Sequence, residues 1–290
     1  MEYLGSNAAA SPQGVFVICR YLSGFDKGLN EGELRLELQA LRTLATGSDD
    51  AAAVFTDSLS VASGLGIVGS DSKQRLRVVE DVFREGLRAE GDTWSWFRGR
   101  LLHRIAQRGL DQLEADGKLP DLVLALAWLL QMDPLNPLAL DWGAGPEPVV
   151  RGLNFEAVAN STQWRGLQRW ALALGLARRA DVGNAKVLVA DASTAIEDQI
   201  WALPADAPAD RWLEELRRQV PMLGSRRILA QLPSGRSWDA VPLGLVLGLH
   251  KLEKAKRLAL EPSDDGSHVV PIGLSTNPRQ VGRILVRSER

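Results

Sequence analysis

The sequence predicts an α+β fold that is mostly α-helical, and two observations lead there. Three times an amphipathic helix runs into a short strand, a polar turn and a second strand. The first copy ends in Ser58–Val68, Gly69–Ser72 and Lys73–Val79; the second spans Trp164–Ala177, a turn at Asp181–Asn184 and the strand Lys186–Val189. The third runs Val241–Arg257, Leu258–Leu260, a turn at 262–266 and the strand His268–Val270. The second observation is that residues 92–140 read as helix without strands. A helix followed by a hairpin is how a winged-helix module ends, so the expected architecture is tandem winged-helix modules with a helical middle segment. Repetition of this kind argues for a chain that binds something rather than one built around a reaction centre.

The elements follow in order. Ser11 is placed to cap a first helix with Pro12 at its first position. Val15, Ile18, Cys19 and Leu22 then form one apolar stripe. Asn30 with Glu33 resembles a capping pair for a second helix, with Leu34, Leu38, Leu41 and Ala45 as its buried face. Ser48, Asp49 and Asp50 open a third, where carboxylates suit the positive end of the dipole. Phe55, Leu59 and Ala62 face inward there, and Gly64 ends it. In the middle segment Trp94, Phe97, Leu101 and Ile105 keep helical spacing, and Pro120 starts a strongly apolar helix to Gln131. Prolines in Asp133–Pro137 stop it. Asp141–Pro148 is the best candidate boundary. Beyond it, Phe155–Ala159 reads as a short helix and Ser161 or Thr162 as the cap of the next. Trp164, Leu167, Ala171 and Leu174 make that helix's stripe, with Gly175 at its end. Ser193–Leu203 is another helix, Pro204–Pro208 a second joint, and helices near Asp210–Val220 and Ser225–Leu232 precede the last module. The expected division is a winged-helix module at 1–85, a helical connector at 86–148, and further modules at 149–205 and 206–290.

Composition narrows the class. At 290 residues the chain is long enough for about two or three domains, with 45% hydrophobic and 24% charged residues. Its longest apolar run, Leu122–Leu130, is far short of the roughly 20 residues that span a bilayer. The single cysteine excludes an internal disulfide framework and fits a reducing cytoplasm. A net charge of −2 counts against tight autonomous DNA binding without excluding a local basic face. The nine tryptophans are read as core and interface packing.

No reaction centre is legible. His103, His250 and His268 are too far apart, with one cysteine, to make a local zinc motif. Phosphate-binding glycine loops, nucleophile elbows and paired-histidine metal motifs are missing. Glu114, Asp116, Lys118 and Asp121 are the nearest approach to a nuclease pattern, but in inverted order, and Asp121 falls in the first turn of the apolar helix. The expectation is no catalytic residue, no cofactor and no metal.

Binding residues are better marked. Period-two alternation would point Lys73, Arg75 and Arg77 one way and Leu76 and Val78 towards the core. Three phosphates fully engaged would give a slope of about −2.7 in log K against log salt. The bland reading is that strand edges carry charge to prevent aggregation. Asp49, Asp50 and Asp57 are the only charges on the preceding helix, which argues against base reading by the first module. The second module offers Arg178, Arg179 and Lys186 beside Arg165 and Arg169. The third offers Lys251, Lys254, Lys256 and Arg257 at a helix C-terminus, where the dipole alone would favour cations. Arg279, Arg283, Arg287 and Arg290 follow. Together they permit a composite basic path.

Two regions also carry a family resemblance. Leu153-Asn-Phe155, Thr162–Ala171, Leu174-Gly-Leu176 and Ala190–Ile196 resemble the DpdG family, as do Leu243–Leu252, Ser263-Asp-Asp265 and Ser267-His-Val269. The matching positions are packing patterns. The resemblance implies an accessory protein of bacterial clusters that place 7-deazaguanine bases in DNA and restrict unmodified DNA. The expected function is a non-enzymatic, DNA-contacting adaptor in the cytoplasm, beside helicase/ATPase-like or nuclease-like partners. A protein-only scaffold and a winged-helix transcriptional regulator are the alternatives.

Overall fold

A computed structural model describes residues 2–38, 51–153, 155–233, 238–262, 268–274 and 278–287. The chain opens with α1 (Pro12–Ser23), whose N-cap Ser11 accepts the Gly14 amide at 3.0 Å. Leu29 forms an isolated antiparallel bridge to Leu76. α2 (Glu31–Glu37) begins with a complete capping box, Asn30 and Glu33 each accepting the other's backbone N–H. α3 (Ala51–Gly64), β1 (Val68–Ser70) and β2 (Leu76–Val78) complete the first unit. Val15, Ile18, Cys19 and Leu22 pack with Phe55, Leu59 and Ala62 in its core, as the stripes predict. Leu41, Ala45, Ser48, Asp49 and Asp50 lie outside the described residues.

The middle segment is α4 (Asp81–Arg88), α5 (Thr93–Asp116) and α6 (Asp121–Leu130). α5 is about 36 Å long at 1.5 Å per residue and packs on α1, α4, α6 and, further on, α9. Residues 92–140 are not strand-free. β3 (Leu138–Ala139) pairs antiparallel with a strand of the second hairpin, on the far side of the boundary expected near 148. α7 (Glu147–Val150) and a 3-10 turn at Glu156–Val158 lead to α8 (Ser161–Ala173). The cap of α8 is Asn160, which accepts the amides of Thr162 and Gln163, rather than Ser161 or Thr162. Trp164, Leu167, Ala171 and Leu174 are buried, and Gly175 ends the helix at φ +71°. The hairpin is tighter than the sequence suggests: β4 (Ala177–Val182) and β5 (Ala185–Ala190) leave only Gly183 and Asn184 as the turn.

Next come α9 (Ser193–Gln199) and a 3-10 turn at Ile200–Ala202. The stretch expected as a joint, Pro204–Pro208, instead holds β6 (Asp206–Pro208). A proline tolerates this place because it closes the strand at a sheet edge. α10 (Ala209–Gln219), a 3-10 turn at Pro221–Leu223, α11 (Arg226–Leu229) and α12 (Leu243–Lys254) follow. The third hairpin differs from expectation. β7 (Leu258–Glu261) does not pair with the strand after its turn; that strand, β8 (Val270–Ile272), pairs with β9 (Arg279–Val281). β7 pairs with β10 (Arg283–Val286), which also pairs with β6. Leu258, Leu260 and Ile284 are buried by this pairing, which gives the register its driving force.

One connection order therefore recurs. A helix, a short first strand (a single bridge in the first unit), further helices and two last strands come in that order, with the β8–β9 hairpin inserted before the final strand of the third, and the final strand sits between the other two. The sheet orders are β3-β5-β4 and β6-β10-β7, and the Leu29 bridge gives the same order with β2 and β1. α1, α6 and α9 lead the units, and α3, α8 and α12 are their third-helix equivalents.

Candidate nucleic-acid interface

The first hairpin is shaped by Asp71. Its Oδ1 accepts the backbone N–H of Lys73 at 2.8 Å and of Arg75 at 2.9 Å, and Gln74 takes φ +59°. The Arg75 amide is the largest influence holding the Asp71 carboxyl below the usual carboxylate range. This turn breaks the pleat, so Lys73 does not continue the row of Arg75 and Arg77 as alternation predicts. Arg77 is exposed on β2, Arg75 is half-buried just before it, and Lys73 is exposed in the turn. None of these side chains makes an ion pair with a described residue.

Of the three acidic residues expected on the helix before this hairpin, Asp57 is among the described residues. Asp57 is half-buried and its Oδ2 accepts the Ala9 amide at 2.9 Å. The outward residues Ala52, Thr56, Ser60 and Ser63 are exposed, small and uncharged. Arg35 of α2 borders this face. It pairs with Glu31 at 3.0 Å, lies 4.9 Å from the Phe55 ring centroid and donates to Thr56 Oγ1 at 3.4 Å. Sequence reasoning passed over Arg35 because its spacing from Glu31 reads as an ordinary helix pair.

The equivalent helix of the second unit is covered. Arg169 donates to the carbonyls of Ala8 and Ala10 at 3.0 and 3.1 Å. Tyr3 meets Trp170 edge-on, and a Cβ at Gly166 would lie 3.1 Å from Leu4. The N-terminal segment is itself held by Asp121, which accepts the amides of Tyr3 and Leu4, each at 2.7 Å. Asp121 thus has a structural employment, in the first turn of α6 as expected. Arg165 remains exposed on α8.

The other basic residues divide into tied and free. Arg178 Nε and Lys251 Nζ both reach Asp191 Oδ2, at 3.2 and 2.6 Å, so the structure brings these two together on one buried carboxylate. Burial pushes the Asp191 carboxyl up, but hydrogen bonds from Lys251 and Ser193 outweigh it and the net shift is downward. Arg257 pairs with Glu197 at 3.2 Å. Arg179, Lys186, Lys254 and Lys256 are exposed, and Lys186 stands across the strand pair from Asp181. Lys256 follows α12 in the left-handed region, at φ +60°. Arg279 and Arg283 are paired with Glu253 and Asp206, and Arg290 lies outside the described residues.

The third unit's helix α12 is used for packing. Leu245, Val246, Leu249 and Leu252 are buried, and Cβ atoms at Gly244 and Gly248 would lie 3.1 Å from Ala190 Cβ and 2.8 Å from the Ser193 amide.

Among the described residues no group of three His, Cys, Asp or Glu side chains could hold a metal ion, and no helix is long and apolar enough to cross a membrane. His103 Nδ1 lies 3.0 Å from the Gln219 carbonyl and His268 Nδ1 2.6 Å from Asp210. The four tryptophans at 128, 164, 170 and 212 are fully buried, in keeping with a packing role.

Fold and surface together define an α+β protein of repeated helix-and-hairpin units with exposed cations at several hairpins and helix ends. The chain belongs to the DpdG-like family, whose model matches residues 3–266 of its 290. No curated protein and no solved structure matches it.

Proposed function

We propose that this chain is a non-enzymatic, DNA-contacting adaptor subunit of a bacterial anti-phage restriction complex, built of three winged-helix units and working in the cytoplasm. The units would run from α1 to β2, from α6 to β5 and from α9 to β10, with α4 and α5 as the connector. Membership of the DpdG-like family supports the defence setting. The observation that carries DNA contact is that Thr56, Ser60 and Ser63 on the outer face of α3 are exposed beside a hairpin whose Lys73, Arg75 and Arg77 have no described ion-pair partner. Small, neutral side chains let a helix approach a duplex closely, and the hairpin cations would meet the phosphate backbone. Partners would be a helicase/ATPase or nuclease subunit that supplies the chemistry.

The test is charge reversal of Lys73, Arg75 and Arg77 to Glu together. Duplex binding at about 50 mM salt is expected to weaken, and the wild-type salt slope of up to about −2.7 to flatten towards zero. Unchanged affinity in the triple variant would remove the hairpin from the interface.

A second reading, a scaffold whose units bind only protein, has its own support. Two of the three third-helix equivalents, α8 and α12, are spent on packing, and the net charge is −2. Failure of the wild-type protein to bind duplex at low salt would favour it. The regulator alternative rested on the third unit, and burial of α12 leaves it the least supported.

A further inference from the structure

Away from the first unit, α10 and the turn into α11 enclose a cavity of about 490 Å³ lined by Asp210, Glu214, Arg217, Arg218, Ser225 and Arg226, with Gly224 at its wall. A second cavity of about 480 Å³ shares Asp210 and Arg217 with it and runs on between the start of α12 and the β8–β9 hairpin. Its wall is apolar, with Val241, Val246, Val270 and Leu274. One end of this cleft is therefore cationic and the other hydrophobic.

The cationic end is under-compensated. Arg217 donates through Nη2 to the Ala240 carbonyl at 2.8 Å, but its buried Nε has no hydrogen-bond partner among the described residues. A buried guanidinium N–H without an acceptor carries an uncompensated desolvation cost, so the charge of Arg217 is only partly neutralised by its surroundings. Burial, and then the charge of Arg226, push Arg217 below its ordinary value, against the pull of Glu214. Arg226 is exposed and makes no ion pair with a described residue. Of the carboxylates that line the cleft, Asp210 lies 2.6 Å from His268 Nδ1, and Glu214 and Asp239 are exposed without an ion pair to a described residue; Arg218 is taken by Glu215 at 2.6 Å. Gly224, at φ +103°, lets the backbone pass close; a Cβ there would lie 3.4 Å from Arg217 Nε and 2.5 Å from the Ala240 carbonyl.

We infer that this cleft is a phosphate site, in which Arg217 and Arg226 hold the phosphate of an organic ligand whose apolar body lies along Val241, Val246, Val270 and Leu274. Planar guanidinium groups match phosphate oxygens in geometry as well as charge. The phosphate could be that of a free nucleotide or of a DNA strand, and the inference stands whether or not the first unit contacts DNA.

The experiment uses the full chain at constant ionic strength, with inorganic phosphate and adenosine monophosphate as probes and thermal unfolding as the readout. A saturable rise in Tm is expected, stronger for the nucleotide than for phosphate alone. Arg226→Gln should weaken the response about tenfold, the effect of one charge-assisted hydrogen bond. Arg227→Gln is the control, because Arg227 instead pairs with Glu114 at 2.8 Å. Arg226 anchors no described backbone atom, so its variant tests binding rather than folding. The Lys73, Arg75, Arg77 triple variant should respond like wild type. If small anions have no effect but Arg226→Gln lowers duplex affinity about tenfold, with Arg227→Gln unaffected, the phosphate belongs to DNA. No response to either source, or equal losses in Arg226→Gln and Arg227→Gln, would overturn the assignment.

Discussion

Lys251 Nζ lies 2.6 Å from Asp191 Oδ2, joining α12 of the third unit to the end of β5 in the second. Asp191 is buried, and Ser193 donates its backbone N–H to the other oxygen at 3.0 Å while its hydroxyl lies 3.2 Å from the same ammonium. Arg178 completes the set from β4. Lys251, which looked available for phosphate in the sequence, thus fastens two units together, while Arg178 is engaged within the second.

Replacing Asp191 with Ala should cost about 1–2 kcal/mol, since the partners it releases are partly exposed and can be rehydrated. The effect should depend on pH. The carboxyl is held below its ordinary value in the fold, so its contribution is complete above the unfolded-state pKa of about 3.9. It is lost as pH falls through the lower, folded value. Urea unfolding of wild type and Asp191→Ala should show a gap at pH 7 that narrows in strong acid; a constant gap would show that the charge is not involved.

Asp121→Ala should loosen the N-terminal segment. It removes the acceptor for the Tyr3 and Leu4 amides and leaves both side chains with packing alone to hold them over α8. A stability loss of about 1–3 kcal/mol is expected. Tryptophan emission should shift to the red as Trp170 loses Tyr3, and limited proteolysis should cut near the N-terminus first.

Gly248→Ala should be more damaging than an alanine in a helix normally is. The new Cβ would lie 2.8 Å from the Ser193 amide nitrogen and 3.0 Å from the Ala192 carbonyl carbon, and neither can move without shifting α9. A loss of about 1–3 kcal/mol in chemical denaturation is expected, opposite in sign to the usual gain in helix propensity.

Thr56→Glu with Ser60→Glu tests the open face of α3. Both positions are exposed, so stability should change by no more than about 0.5 kcal/mol. Duplex affinity should fall at least tenfold if that face meets DNA. Binding that survives would restrict contact to the hairpin.

Cys19 should resist a thiol reagent in the native protein. It is fully buried in α1, and burial raises its thiol pKa, so thiolate is scarce as well as sheltered. Labelling should follow global unfolding in denaturant; rapid native labelling would contradict the packing of α1.

Local signals were the readable ones. Ser11 before Pro12, the Asn30–Glu33 box and the stripe from Trp164 to Leu174 depend on residues within a turn or two of each other, and each is found in place. β3 and β6 were unreadable because two- and three-residue strands owe their existence to a partner far along the chain. β7 invited the wrong partner because a polar turn follows it, while the pairing is settled by burial of Ile284. A single positive φ at Gln74 moved Lys73 out of its row. The basic residues could be identified by type, but their engagement could not: Lys251 and Asp191 are 60 residues apart.

The position of β10 has a consequence for how the chain is made. It is the middle strand of its sheet, with β6 and β7 on its two flanks, yet it is synthesised after both. Until it leaves the ribosome, those two strands have no common partner and the apolar side of α10 lacks part of its cover. The last unit should therefore close only after residue 286 has emerged. A nascent chain stalled before residue 283 should present that unfinished surface to chaperones, while the first unit has already folded behind it.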